Sequence, residues 1–208
     1  AMNRSFYQTV QNLGADLYAQ YFALTTNSFS TDRYLLTPDW QRRFWTVVYV
    51  DTAPQLKSIL ENTDAKSGEA ALANIMWVYA FHRLADHFGP VPYFGAAEPN
   101  DVIPYDPMDK SYADFFEKLT AAVDNLKTLP AGTKIFQGYD LIFDGDTDRW
   151  IRFANSLRLR LALRIAKVDV NKAKTEAEAA VAAGLMSSNT HNASMLKSLS
   201  GNDTNGLA

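Results

Sequence analysis

Apolar residues recur at spacings of three and four along most of this chain, and the elements follow from that rhythm. Residues 4–24 contain no proline and place Phe6, Val10, Leu13, Leu17, Tyr21 and Leu24 at helical intervals. Residues 25–39, TTNSFSTDRYLLTPD, are rich in Ser, Thr, Asn and Asp and predict a loop. A second helix is predicted from Asp39-Trp40, with Phe44, Val47, Val48 and Tyr49 on one side and a kink at Pro54. Leu56, Ile59 and Leu60 carry the pattern on. The stretch 69–88 has two apolar stripes. One is Leu72, Ile75, Met76 and Tyr79; the other is Trp77, Phe81, Leu84 and Phe88. Two stripes call for neighbours on more than one side.

The helix at 69–88 stops at Gly89-Pro90, and a proline-rich connection, 98–110, follows. Residues 111–129 carry one stripe: Tyr112, Phe115, Phe116, Leu119, Val123 and Leu126. The loop 135–150 holds glycines and acids. LRLRLALR (157–164) alternates as a strand does, but nothing interrupts 149–167, which is too long for a usual strand. Trp150, Phe153, Leu157 and Leu161 fit a helix, with Leu159 and Leu163 on its opposite side. A helix sandwiched between neighbours is therefore expected there. An alanine-rich helix at 171–183 ends at Gly184. The expected fold class is all-α, with paired helices of tetratricopeptide type, no substantial sheet, and one helical region over residues 1–208.

Composition adds exclusions. The formal net charge of −3 gives no basic field for nucleic acid. With no cysteine, the chain has no disulfide, no thiolate metal site and no Cys nucleophile. No apolar run reaches the roughly 18 residues a membrane span needs. The opening Ala1-Met2-Asn3 reads as an added residue before a chosen start.

Catalytic and metal motifs are missing as well. His82 and His87, five apart, do not share a helix face as an i,i+4 metal pair does. DGDTD (144–148) starts like a calcium loop, but Arg149 and Asn155 stand where that loop needs Gly and Glu. Its acids are better read as satisfying the free N–H groups of the next helix. Neither a resident metal nor a cofactor is expected, and the chain does not read as an enzyme. The remaining candidates are loop aromatics beside polar groups: Asp32, Arg33, Tyr34 and Trp40, then Tyr93 and Tyr105. Rings flanked by hydrogen-bonding side chains suit flat, uncharged ligands such as sugars.

Three stretches carry a resemblance. ANIMWVYAFHRLADHFGPVPYF (73–94), SYADFFEKLTAAVDNL (111–126) and YDLIFDGDTDRWIRFANSLRLRLALRIAK (139–167) resemble the SusD/RagB family of Bacteroidetes outer-membrane lipoproteins. Gly89, Val91 and Pro92 match the family's helix-ending turn, and Pro90 takes a usually polar position. The resemblance implies an α-solenoid of tetratricopeptide-like pairs. It also implies a nutrient- or oligosaccharide-binding surface lipoprotein that caps a SusC-like TonB-dependent transporter and meets the membrane through a lipid anchor. Family members are typically more than twice this length, so the chain is expected to be the N-terminal part of a larger SusD-like domain. A tetratricopeptide-like scaffold that binds a protein partner and no small ligand is the rival reading.

Overall fold

The computed structural model describes residues 7–35 and 37–195. Phe6, assigned to the first helix by its spacing, lies outside them. The described residues are helical. Their only β features are isolated bridges, Val91 with Asp106 and Lys134 with Asp146. In chain order, a π-helical stretch Tyr7–Ala15 runs into α1 (Asp16–Tyr18), and a 3-10 turn Thr31–Arg33 precedes α2 (Pro38–Thr46). A second π-helical stretch, Val47–Thr52, leads into α3 (Ala53–Asn62). The long helices are α4 (Gly68–Phe88), α5 (Met108–Lys127), α6 (Thr147–Ile165) and α7 (Val170–Ala183). Internal contacts separate two compact units, one ending at Pro54 and one starting at Gln55.

In the first unit the helix ends at Tyr18, earlier than the apolar spacing to Leu24 predicts. Gln20 adopts a left-handed φ of 60°, which leaves the helical path, and Tyr21 is turned out to solvent. Leu13 and Leu17 remain on the buried side. The kink expected at Pro54 takes another form. The chain winds wider over Val47–Thr52 just before the proline, and Thr52 Oγ1 donates to Val47 O at 2.8 Å. A π-helical turn there relieves the clash between a proline ring and the carbonyl four residues back.

In the second unit each long helix starts and stops for a local reason. The Ser67 side chain accepts from Ala70 N at 3.1 Å, and Gly89, with φ +80°, ends α4. A Cβ at Gly68 would come within 2.2 Å of Ile135 Cδ1, so any larger residue there would displace the buried Ile135 side chain. Asp146 and Asp169 cap α6 and α7 by accepting from Arg149 N and Lys172 N. Asp146 thus does the capping expected of the DGDTD acids.

Consecutive helices α4, α5, α6 and α7 pack on one another, as stacked helical pairs do. Both stripes of α4 are covered: Leu72, Ile75, Trp77, Phe81 and Leu84 are buried. The stripe of α5 is buried throughout. α6 departs from expectation. Trp150, Leu157 and Leu161 are buried, but Leu163 is 66% exposed, so α6 is not sandwiched at that end. The spacing identifies the helix; it does not say how many neighbours cover it.

Candidate functional site

Four of the six residues singled out by sequence belong to the first unit: Asp32, Arg33 and Tyr34 at the turn ahead of α2, and Trp40 in the first turn of α2 itself. Tyr34 follows the Thr31–Arg33 turn with a left-handed φ of 59°. That conformation, uncommon for a large side chain, sets its ring at 5.4 Å and 24° from the ring of Tyr18, a stacked pair. Gln20 Nε2 donates to Tyr34 Oη at 3.2 Å, and Tyr34 is 59% exposed. Asp32 is half-buried and lies 3.8 Å from Arg33 Nε, while Arg33 donates to Phe29 O at 3.0 Å. Trp40 is half-buried with its ring 5.4 Å from that of Phe29.

Three polar atoms at this turn, Tyr18 Oη, Thr31 Oγ1 and Asp32 Oδ1, are enclosed without a hydrogen-bond partner among the described residues. Enclosed polar atoms are ordinarily paired, so these three are exceptions, with only Asp32 Oδ1 near a charge, the Arg33 guanidinium. Tyr21 and Phe22 are exposed on the following segment. The sequence reading missed Tyr18. It sits one position beyond Leu17 on the apolar stripe, and that displacement was the available signal.

Tyr93 and Tyr105 belong to the second unit and have unlike environments. The sequence reading offered Tyr93 to a ligand; the structure corrects this, because Tyr93 is a core residue, 1% exposed. Its ring meets Phe81 at 5.2 Å and Phe115 at 5.1 Å, both edge-on, and its hydroxyl donates to Asp114. Burial, then the Asp114 charge, push its phenol well above the ordinary range. Its own backbone N–H and that of Phe94 donate to Asp106 Oδ2 at 2.7 and 2.9 Å. Asp106 therefore fixes the turn after α4, leaving Phe94 53% exposed; Tyr105, its neighbour in sequence, is 62% exposed.

The histidines and acids settle into structural roles. His82 is 1% exposed, with Nδ1 2.9 Å from Val78 O. Burial lowers its pKa to about 4, so the ring is neutral near pH 7. Asp140 gathers Ile142 N, Gly145 N and Trp150 Nε1 at 2.9, 2.9 and 2.7 Å. Asp144 pairs with Lys134 at 2.5 Å and accepts from Gly138 N at 2.9 Å, and the Lys134 bond holds its carboxyl below the usual range. No group of three His, Cys, Asp or Glu among the described residues is placed to hold a metal ion.

The FANSLRLRLA stretch is equally architectural. Asn155, 1% exposed, donates to Ala183 O and Gly184 O at 3.2 and 3.0 Å. Ser156 Oγ accepts from Met186 N at 2.9 Å, and Arg158 pairs with Glu176 at 2.6 Å. The arginines of α6 are mostly engaged in this way, Arg152 with Leu185 O and Arg164 with Asp86.

Helical pairs of tetratricopeptide type, carrying ring-bearing turns, describe a binding scaffold. The chain belongs to the SusD-like family: the profile described as "Susd and RagB outer membrane lipoprotein" matches residues 1–207. Solved structures agree. A chitin-binding SusD homolog from Flavobacterium johnsoniae is 35% identical with a TM-score of 0.83, over 89% of this chain and 40% of its own. A SusD homolog from Parabacteroides distasonis is 32% identical with a TM-score of 0.79, over 92% of this chain and 38% of its own. A SusD-like protein from Bacteroides thetaiotaomicron is 27% identical with a TM-score of 0.79, over 89% and 39%. No curated protein matches the chain. The chain thus spans about two fifths of the length of these solved relatives.

Proposed function

We propose that this chain is part of a glycan-binding component of a TonB-dependent uptake complex, a surface lipoprotein of the outer membrane that works with a SusC-like transporter. It binds and hands over its ligand and performs no bond-breaking chemistry. Membership of a family described as outer membrane lipoproteins supports the setting. The 35% identity to a chitin-binding SusD homolog supports a saccharide ligand and makes chitin oligosaccharides the first to try.

The observation that carries the reading is the Tyr18–Tyr34 pair. It sets an exposed ring beside Arg33, in a turn where Tyr18 Oη, Thr31 Oγ1 and Asp32 Oδ1 have no hydrogen-bond partner among the described residues. A pyranose offers an apolar face to such a ring and hydroxyls to the exposed polar side chains beside it, Arg33 and Gln20; one stacked ring contributes about 1 kcal/mol beyond its burial. Asp32, Arg33, Tyr34 and Trp40 are the proposed contacts, with Tyr105 and Phe94 as a separate ring-bearing turn. Tyr93 supports that second turn from beneath.

Affinity electrophoresis of the full-length protein tests this, with gels cast with glycol chitin, an α-glucan or no polysaccharide. Retardation in one glycan gel, lost in Tyr34→Ala at an unchanged melting temperature, is the expected result. Equal mobility in every gel, with a protein partner captured instead, would overturn it in favour of the scaffold reading.

A further inference from the structure

A cavity of about 420 Å³ lies between α4 and α6, well within the second unit. Its volume is that of a small-molecule site. α4 contributes Tyr79, His82 and Arg83, and α6 contributes Phe153 and Arg160. The rings of Tyr79 and Phe153 meet at 5.7 Å and 57°, giving an aromatic wall. Met186 lines another side. That side is tied down, since Ser156 Oγ accepts from Met186 N at 2.9 Å and Arg152 donates to Leu185 O at 3.1 Å.

The charge in this cavity is of one sign. Arg83 lies 5.9 Å from the centre of the Tyr79 ring, and no Asp or Glu is among the lining residues. Arg160 stands apart from the other arginines of α6. Arg149 meets Asp146, Arg152 meets Leu185 O, Arg158 meets Glu176 and Arg164 meets Asp86. Arg160 has no ion pair and no hydrogen bond among the described residues, yet it lines a cavity beside a second guanidinium. His82 adds no third cation. With Nδ1–H directed to Val78 O, its neutral ring keeps Nε2 as an acceptor.

We propose that this cavity binds a small carboxylate carrying a ring. The ring lies against Tyr79 and Phe153, and the carboxylate is held by Arg160 and Arg83, whose planar forks match two carboxylate oxygens. Uronic acids and aromatic carboxylates share this chemistry. The site is separate from the Tyr18–Tyr34 turn and does not depend on the glycan reading.

Isothermal titration of the purified protein with glucuronate, benzoate, glucose and benzyl alcohol tests the assignment. At least one carboxylate is expected to bind at least tenfold more tightly than its neutral counterpart, and which one does so names the source. Arg160→Gln is expected to weaken that binding about tenfold. Because Arg160 is exposed, the melting temperature should hold. Arg160→Lys restores part of the affinity, and Tyr34→Ala leaves it unchanged. Binding of neither carboxylate, equal binding of the neutral compounds, or an unaltered affinity in Arg160→Gln overturns the proposal. Loss of glycan retention in Tyr34→Ala with carboxylate binding intact keeps the two sites apart.

Discussion

In residues 55–195 a cluster of rings is enclosed between the helices, while the loop rings Phe94, Tyr105 and Tyr139 stay 53%, 62% and 87% exposed. Phe81, Tyr93, Phe115 and Phe116 are each no more than 2% exposed, and Tyr93 meets Phe81 and Phe115 edge-on across α4, α5 and the turn between them. In residues 7–54 Phe44 is buried, but no enclosed cluster of rings forms among the described residues: Tyr21 is 79% exposed, Phe22 54% and Tyr34 59%. Helix geometry divides in the same way. The second unit has α-helices of 14 to 21 residues from α4 onward, three of them with side-chain N-caps. Both π-helical stretches begin in the first unit, as do the three enclosed oxygens without partners. Stable framework and recognition surface make opposite demands on the same residue types. A ring in the core contributes burial, and a ring left in water is useful only when something else covers it.

The largest test removes the framework's central ring. Phe115→Ala should cost about 3–5 kcal/mol, because it empties a fully enclosed site among Tyr93 and Tyr112. Chemical denaturation measures this; a loss below 1 kcal/mol would mean the second unit is no firmer than the first.

A pH series tests the same framework through His82. Its pKa is about 4 when folded and 6.5 when free, so the unfolded chain binds the proton first as pH falls. The contribution is fully present above pH 6.5, shrinks below it, and is gone below pH 4, a change of about 3 kcal/mol. His82→Gln should flatten the slope of stability between pH 6.5 and 4 relative to the parent. An unchanged slope would show that folding leaves the His82 pKa where it is in the free side chain.

The Arg158–Glu176 pair is a smaller test. Both side chains are largely covered, at 16% and 10% exposure, and Lys172 also reaches Glu176 at 3.0 Å. Glu176→Gln leaves two cations facing a neutral amide and should cost about 2 kcal/mol in a thermal melt. A neutral result would place this contact with ordinary surface pairs.

The smallest expected stability change belongs to the first unit. Tyr34→Ala should alter stability by less than about 0.5 kcal/mol, since an exposed side chain is lost and a strained φ remains. Its effect should appear in ligand binding, a loss of about tenfold read in glycan gels. If stability falls by 2 kcal/mol instead, the outward rings are part of the framework and the contrast between the units disappears.

Periodicity alone placed the helices at 69–88, 111–129, 149–167 and 171–183 within a few residues of Gly68–Phe88, Met108–Lys127, Thr147–Ile165 and Val170–Ala183. The reason is that helix formation is local: stripes, capping acids and glycine stops all act within a turn or two of chain. The same local logic read the DGDTD acids as capping the next helix, a role that Asp146 fills. It also put Asp32, Arg33 and Tyr34 at one turn, because they are consecutive in sequence, whereas Trp40 falls in α2 with its ring against Phe29. What tertiary structure decided were matters of partnership across distance. Tyr93 and Tyr105 look alike in sequence, both aromatic loop residues near prolines. Yet the hydroxyl of one finds Asp114, 21 residues away, and its ring is enclosed, while the other stays in water. Tyr18 reaches Tyr34 only because Gln20 and Tyr34 both take left-handed backbone angles that no apolar rhythm encodes. Leu163 shares the helical rhythm of α6 but stays exposed. A side chain's covering is set by which distant surface the folded chain brings against it, and loop conformation chooses that surface.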